Sequence, residues 1–150
     1  MTKISFDLLW RWIWLLCVAS VLLGLLLMVV PGTGLIRWYD VGILHPFFKG
    51  PAPGDALDLY RFLMGVVGAG TTGWAITLTF IAQGPFRRRE KWAWWACTGG
   101  VVAWIGTELL LCLFWRVPTE ALFLLGAAVA FGLPLALSWP HFKNAPHSTS

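Results

Sequence analysis

Residues 12–36, WIWLLCVASVLLGLLLMVVPGTGLI, contain no Asp, Glu, Lys or Arg. A helix needs about 20 predominantly apolar residues to cross a hydrocarbon core of about 30 Å, so this stretch is long enough to span a membrane. Three further stretches without charge follow it: 62–86, 92–107 and 121–140. The stretch 92–107 is short, but residues 109–115 continue it after a single charged residue, Glu108. We therefore expect four membrane-spanning helices.

The overall composition supports a membrane class. Hydrophobic residues make up 58% of the chain and charged residues 12%, whereas soluble domains average about half and about a quarter. The one basic run, Arg87–Lys91, lies in the short connection between two predicted spans, which is too small for a nucleic-acid interface. We expect the lipid bilayer as the main partner and no nucleic acid.

The fold class expected is all-α, an integral membrane four-helix bundle in a single domain over residues 1–143. The predicted spans are TM1 at 8–30, TM2 at 59–83, TM3 at 92–115 and TM4 at 119–139. An outer loop, 31–58, connects TM1 to TM2, and residues 144–150 form a polar tail. The loop is unusually apolar, so we expect it to lie along the outer interface or to fold over the bundle.

Small residues in TM2 predict a close helix contact. Gly65, Ala69 and Gly73 recur every four residues and therefore share one helix face, which a neighbouring backbone can approach closely, and Gly68 and Gly70 extend the small surface. The short Gly84-Pro85 turn makes TM3 the expected neighbour, with the small residues around Gly99 as the matching surface.

The distribution of positive charge predicts the orientation, because positive flanking residues resist translocation. Four spans place both termini and the TM2–TM3 turn on the same side. That side carries Lys3, Arg11, Arg87, Arg88, Arg89, Lys91 and Lys143, against Arg37, Lys49, Arg61 and Arg116 on the other. The bias predicts an N-in, C-in protein with cytoplasmic termini.

Cysteine, histidine and serine patterns give no sign of metal or nucleophilic chemistry. The cysteines, Cys17, Cys97 and Cys112, lie inside predicted spans and form no CxxC pair, and the histidines, His45, His141 and His147, show no metal-binding spacing. No GxSxG sequence is present. We expect no metal and no cofactor.

Glu108 is the strongest candidate functional residue. An acid within a span is costly in lipid and usually faces a bundle interior, a cavity or a partner charge. We expect its side chain to point inward as a candidate acid or base. Trp104 lies one turn away, Thr107 is adjacent, and Trp74 is the other tryptophan predicted at mid-depth. These residues form the expected ligand wall.

Two arginines offer a structural alternative for Glu108. Arg61 opens TM2 and Arg116 lies about two turns further along TM3, so either could pair with the acid and lock two helices together. Both are also candidate ligand contacts. The acids Asp40, Asp58 and Glu120 gather by topology at the same outer end, where they could join the site or simply be solvated.

Residues 61–134 resemble small bacterial four-helix integral membrane proteins of uncharacterised function. The resemblance rests on Gly73-Trp74, the hinge PFRRREKWAWW at 85–95 and the acidic third span. It implies the fold and a bacterial inner membrane location, and no activity. The architecture is more loosely similar to emopamil-binding-type sterol isomerases, whose bundles place buried acids and tryptophans around a lipid-like ligand. Those proteins have five spans, and no motif of theirs aligns here.

Three function classes follow. The first is binding of an apolar lipid- or isoprenoid-like ligand beside Glu108, with acid/base chemistry of an isomerase- or cyclase-like kind as its extension. The second is a non-catalytic accessory subunit that stabilises a larger membrane complex, for which the expected partner is another membrane protein. Self-association into a homo-oligomer is a separate partner hypothesis. A transporter is the weakest, because one embedded acid gives no continuous polar path. We rank ligand binding first.

Overall fold

The computed structural model describes residues 5–143, and its secondary structure over that range is helical. The helices are α1 (Phe6–Val29), α2 (Arg37–Leu44), α3 (Gly54–Ile81), α4 (Lys91–Trp115) and α5 (Pro118–Lys143), with a π-helical turn at Ala82–Phe86 that extends α3. Four of them, α1, extended α3, α4 and α5, are long and apolar enough to cross a membrane. The all-α fold and the four apolar helices are therefore confirmed. The predicted tail, 144–150, and His147 and Lys3 lie outside the described residues.

Proline and glycine set the limits of α3. Pro53 has extended backbone angles and directly precedes the helix, and its carbonyl accepts a hydrogen bond from the Leu57 N–H. Asp55 in the first turn complements the positive end of the helix dipole. The helix thus begins at Gly54, earlier than the predicted position 59. At its other end, Pro85 lies within the π-helical turn.

The closest helix packing joins α1 to α3. A Cβ atom on Gly24 would lie 2.7 Å from the Gly68 carbonyl oxygen and 2.8 Å from the Thr72 amide nitrogen, so the two backbones meet where no side chain fits. Gly68, part of the predicted small surface, makes this contact, but the predicted stripe of Gly65, Ala69 and Gly73 does not, because a Cβ on Gly65 or Gly73 would contact nothing within 4 Å. The contact uses a different face of the same helix.

The order of helices around the bundle is α3, α1, α5, α4. Helix α1 contacts both α3 and α5, and α4 contacts α5. Although a short turn connects α3 to α4, they approach each other closely at few positions. Trp74 on α3 lies against Gly100 and Trp104 on α4 and fills part of the space between them. TM2 and TM3 are therefore not the closely packed pair expected.

Aromatic contacts define one end of the bundle. The Phe6 ring lies 6.1 Å from Phe86 and 5.7 Å from Phe142, which brings together the start of α1, the end of extended α3 and the end of α5. The guanidinium of Arg89 lies 4.7 Å from the centre of the Phe6 ring. Next to it, hydrogen bonds from Arg88 and Trp92 lower the pKa of Glu90. Helix α2 lies at the opposite end, against the start of α5.

Candidate functional site

The connection between α1 and α3 folds over the bundle and is held by a buried acid. Asp40 on α2 accepts hydrogen bonds from the Tyr60 hydroxyl at 2.8 Å and from the Gly32 amide at 3.1 Å. Gly32 has a φ of +71°, a left-handed conformation that favours glycine. Asp40 therefore joins α2 to α3 and to the turn after α1.

A second carboxyl group joins α2 to α5. The Tyr39 hydroxyl donates to Glu120 Oε2 at 2.6 Å, and burial together with this hydrogen bond raises the pKa of Tyr39. Gly42 lies so close to Thr119 that a Cβ atom would overlap its side chain. At the end of the segment, the Phe47 ring lies 5.7 Å from the Trp115 ring.

A cavity of about 390 Å³ lies beneath α2 and between the long helices. Its wall is mostly apolar, and Glu108 and Glu120 are the charged residues in it. The other lining residues are Leu23, Leu27, Ile36, Trp38, Tyr39, Ile43, Phe47, Met64, Val67, Leu111, Cys112, Trp115, Val117 and Phe123. Each of the five α-helices contributes residues to the cavity wall. Glu108 of α4 and Glu120 of α5 are the acids among them.

The cavity is not closed, and one of its exposed edges lies between α3 and α4. Val67 on α3 and Leu111 on α4 both line it, yet their exposed fractions are 46% and 59%. These two helices are also the loosely packed pair. The Trp74–Trp104 contact lies deeper along both helices and limits the opening on its inner side.

Neither arginine forms the ion pair considered for Glu108. Arg61 donates to Asp58 Oδ1 at 3.0 Å and to the Gly32 carbonyl oxygen at 2.8 Å. Arg116 has left-handed backbone angles after α4 and lines a separate hollow with His45 and Thr119. The interpretation of Glu108 as half of an ion pair that locks two helices together is therefore wrong. The prediction that Arg61 and Arg116 contact the ligand is also wrong for this cavity, because neither arginine lines it.

The tryptophans and Thr107 are also absent from the cavity wall. Trp74 and Trp104 have ring centres 5.4 Å apart and pack against the core, with Trp104 near Phe131. Thr107 is exposed, and its hydroxyl donates to the Ala103 carbonyl oxygen. Successive helical residues differ by about 100° in direction, so a neighbour of Glu108 in sequence faces elsewhere.

The three outer acids have different environments. Asp58 is solvated, with a side chain 75% exposed beside Arg61, whereas Asp40 is buried and Glu120 lines the cavity. Sequence reasoning missed Tyr39 and Tyr60 as partners of these acids. The Tyr39–Glu120 contact spans 81 positions, and local spacing gives no signal for it.

The described part of the chain contains no group of three His, Cys, Asp or Glu residues that could hold a metal ion. Cys17 and Cys97 are buried in the core, and Cys112 lines the cavity. The lining side chains that carry polar groups are those of Glu108 and Glu120, Tyr39, Cys112, and Trp38 and Trp115 with their indole N–H.

Comparisons of the chain with protein-family models, with curated proteins and with solved structures find no match. The fold and cavity define a class, a membrane helix bundle with a side-opening apolar cavity that holds two acids. The function has to be inferred from that geometry.

Proposed function

We propose that the protein binds an apolar lipid- or isoprenoid-like ligand in the cavity beneath α2. The observation that carries the proposal is a cavity of about 390 Å³ with apolar walls and two carboxyl groups. Small-molecule sites typically have volumes of about 300–1,000 Å³, apolar walls and a few polar groups that orient the ligand. Glu108 and Glu120 are those groups here.

The side opening suits a ligand that arrives from the bilayer. In a membrane the gap between α3 and α4 faces lipid, because both helices expose apolar residues there. A ligand that enters between Val67 and Leu111 keeps its apolar surface out of water throughout.

The proposed setting is a bacterial inner membrane with cytoplasmic termini. The aromatic contacts place the start of α1, the end of extended α3 and the end of α5 together, and the basic residues Arg87–Arg89 lie at that end. The positive bias assigns this end to the cytoplasm. The cavity then lies in the outer half of the membrane.

Acid/base chemistry is the enzymatic extension of this proposal. A carboxyl group in contact with a bound ligand can donate or accept a proton. Glu108 is the candidate acid or base, and Glu120, held by Tyr39, lines the same cavity. Such a pair suits the isomerisation or cyclisation of an alkene or alcohol.

Native mass spectrometry of the protein extracted from its own membrane tests the binding proposal. We expect a co-purified apolar molecule on the wild type and its loss from Leu27→Trp, which fills the cavity. Leu26→Trp is the matched control, because Leu26 is the preceding residue, is exposed and does not line the cavity. Equal ligand occupancy in both variants, or an empty wild type, would overturn the proposal.

An accessory role is the second candidate, and the exposed small residues of α3 favour it. Ala69 and Gly73 are exposed, and a Cβ on Gly65 or Gly73 would meet no neighbour. A partner helix could pack closely there. This role would be supported by a stoichiometric membrane partner, or a second copy of the chain, that co-purifies with the wild type and is lost from Ala69→Leu. Glu108→Gln should still bind that partner.

A further inference from the structure

The cavity has acids and no base in its wall. Its lining contains Glu108 and Glu120 and no Lys, Arg or His. Within residues 5–143 the basic partners of acids are Arg61, with Asp58, and Arg88, with Glu90. Within the described residues, therefore, neither Glu108 nor Glu120 forms an ion pair with a basic side chain.

The same wall is rich in aromatic rings. Trp38, Tyr39, Phe47, Trp115 and Phe123 all line the cavity. Four of them lie on α2, in the turn that follows it, or at the end of α4, and one of these, Tyr39, contacts Glu120 directly. The face of an aromatic ring attracts a cation, and ammonium groups are commonly recognised by such rings.

We propose, on the basis of the binding function above, that the ligand is a single-tailed amphiphile with a cationic ammonium head. The head lies between Glu108 and Glu120 under the aromatic rings. The tail lies among Leu23, Met64 and Val67, toward the opening between α3 and α4.

An ammonium head suits this wall better than the alternatives. It makes charge-assisted hydrogen bonds to carboxylates, and its presence favours their ionised form. A carboxylate head would meet two acids and no base. A hydroxyl head can donate a hydrogen bond to a carboxylate, but it brings no positive charge to balance the two acids. The Tyr39 hydroxyl already occupies Glu120 Oε2, which holds that carboxyl in position.

The size of the cavity favours a single tail. Its volume of about 390 Å³ is near the low end of the range for drug-sized ligands. A membrane lipid with two acyl chains is larger than such ligands. A single-tailed amphiphile fits within this volume, whereas the second chain of a diacyl lipid would have to lie outside it.

Equilibrium binding of three radiolabelled probes, dodecylamine, dodecanol and dodecanoate, to the full chain in nanodiscs at pH 7 tests the inference. Empty nanodiscs give the membrane background. We expect dodecylamine to bind at least roughly tenfold more tightly than dodecanol, because its ammonium head adds a positive charge opposite the two carboxyls, and a difference on the order of one charge-assisted hydrogen bond corresponds to that factor. Dodecanoate should bind most weakly.

Three variants test whether the carboxyls of Glu108 and Glu120 cause the preference for dodecylamine over dodecanol. Glu108→Gln and Glu120→Gln should each remove most of the preference for dodecylamine over dodecanol, with both probes measured on the same variant. Glu90→Gln is the matched control, because Glu90 lies at the opposite end of the bundle, and it should keep the full preference.

The outcomes separate the two proposals. Equal binding of dodecylamine and dodecanol, or a preference for dodecanoate, would overturn the ammonium head and leave the apolar binding function standing. Displacement of dodecylamine by phosphatidylethanolamine would overturn the proposal that the ligand is a free single-tailed amphiphile. It would identify a diacyl lipid as the ligand instead. Binding of none of the three probes to the wild type would overturn both proposals.

Discussion

At the scale of single residues, the role of each acid is set by partners that are distant in sequence. Asp40 and Asp58 both belong to the predicted outer loop, yet Asp40 is buried between Tyr60 and Gly32, and Asp58 is solvated. The desolvation of an acid is tolerated where donors satisfy it. The two residues should therefore contribute very differently to stability.

Asp40→Ala should lower the free energy of unfolding by about 1–3 kcal/mol, because it leaves the Tyr60 hydroxyl buried without its acceptor. Thermal unfolding of the purified protein, followed by circular dichroism, measures the effect. Asp58→Ala is the control and should change stability by about 1 kcal/mol or less, as expected for an exposed ion pair. Equal shifts in the two variants would contradict the anchoring role of Asp40.

The sequence was sufficient to single out Glu108, because an acid within an apolar span is costly wherever it lies. It was not sufficient to find the partners of the acids. Arg61 lay within plausible reach of Glu108, but it binds Asp58 and the Gly32 carbonyl instead. Glu120 enters the cavity beside Tyr39 through a contact across 81 positions. Only the three-dimensional path of the connection from α1 to α3 brings these groups together.

At the scale of helices, the existence of each span was predictable and the packing faces were not. Charge-free length alone identifies a membrane helix. TM2, however, carries small residues at several positions, including Gly65, Gly68, Ala69 and Gly73. Which of them meets a neighbour depends on how the helix is rotated about its axis. The structure selects Gly68, opposite Gly24 of α1.

Gly68→Ala should therefore destabilise the protein by roughly 1–3 kcal/mol, because the added methyl overlaps the Gly24 carbonyl oxygen and forces the helices apart. Gly73→Ala should be neutral or stabilising by up to about 1 kcal/mol, since the methyl meets open space and alanine favours the helix. Thermal unfolding of the two variants in the same detergent makes the comparison. The reverse order would show that α3 is rotated differently.

At the scale of the whole molecule, the chain forms an incompletely closed bundle. Helices α3 and α4 are neighbours in the bundle but pack only loosely against each other. Helix α2 covers one end of the bundle, and a cluster of aromatic side chains packs the helices together at the other end. The cavity lies where that loose pair and the cover meet. Opposite ends of the bundle should accordingly face opposite sides of the membrane.

Lys49→Cys and Lys143→Cys test this orientation, because the two exposed positions lie at opposite ends of the bundle. The native cysteines are buried and give little background. A membrane-impermeant maleimide should label Lys49→Cys in intact cells and Lys143→Cys only after permeabilisation. Labelling in the opposite order would reverse the proposed topology and leave the fold unchanged.

Whether the ligand binds in the cavity beneath α2 is best tested by photo-crosslinking, with mapping of the labelled residues. A dodecanol analogue with a diazirine in its tail is bound to the protein in nanodiscs, irradiated, and located by peptide mass spectrometry. We expect adducts on cavity residues such as Leu27, Met64 and Val67 that excess dodecanol suppresses. Adducts spread over outward residues such as Phe62 and Phe80, unaffected by competitor, would contradict a ligand site in this cavity.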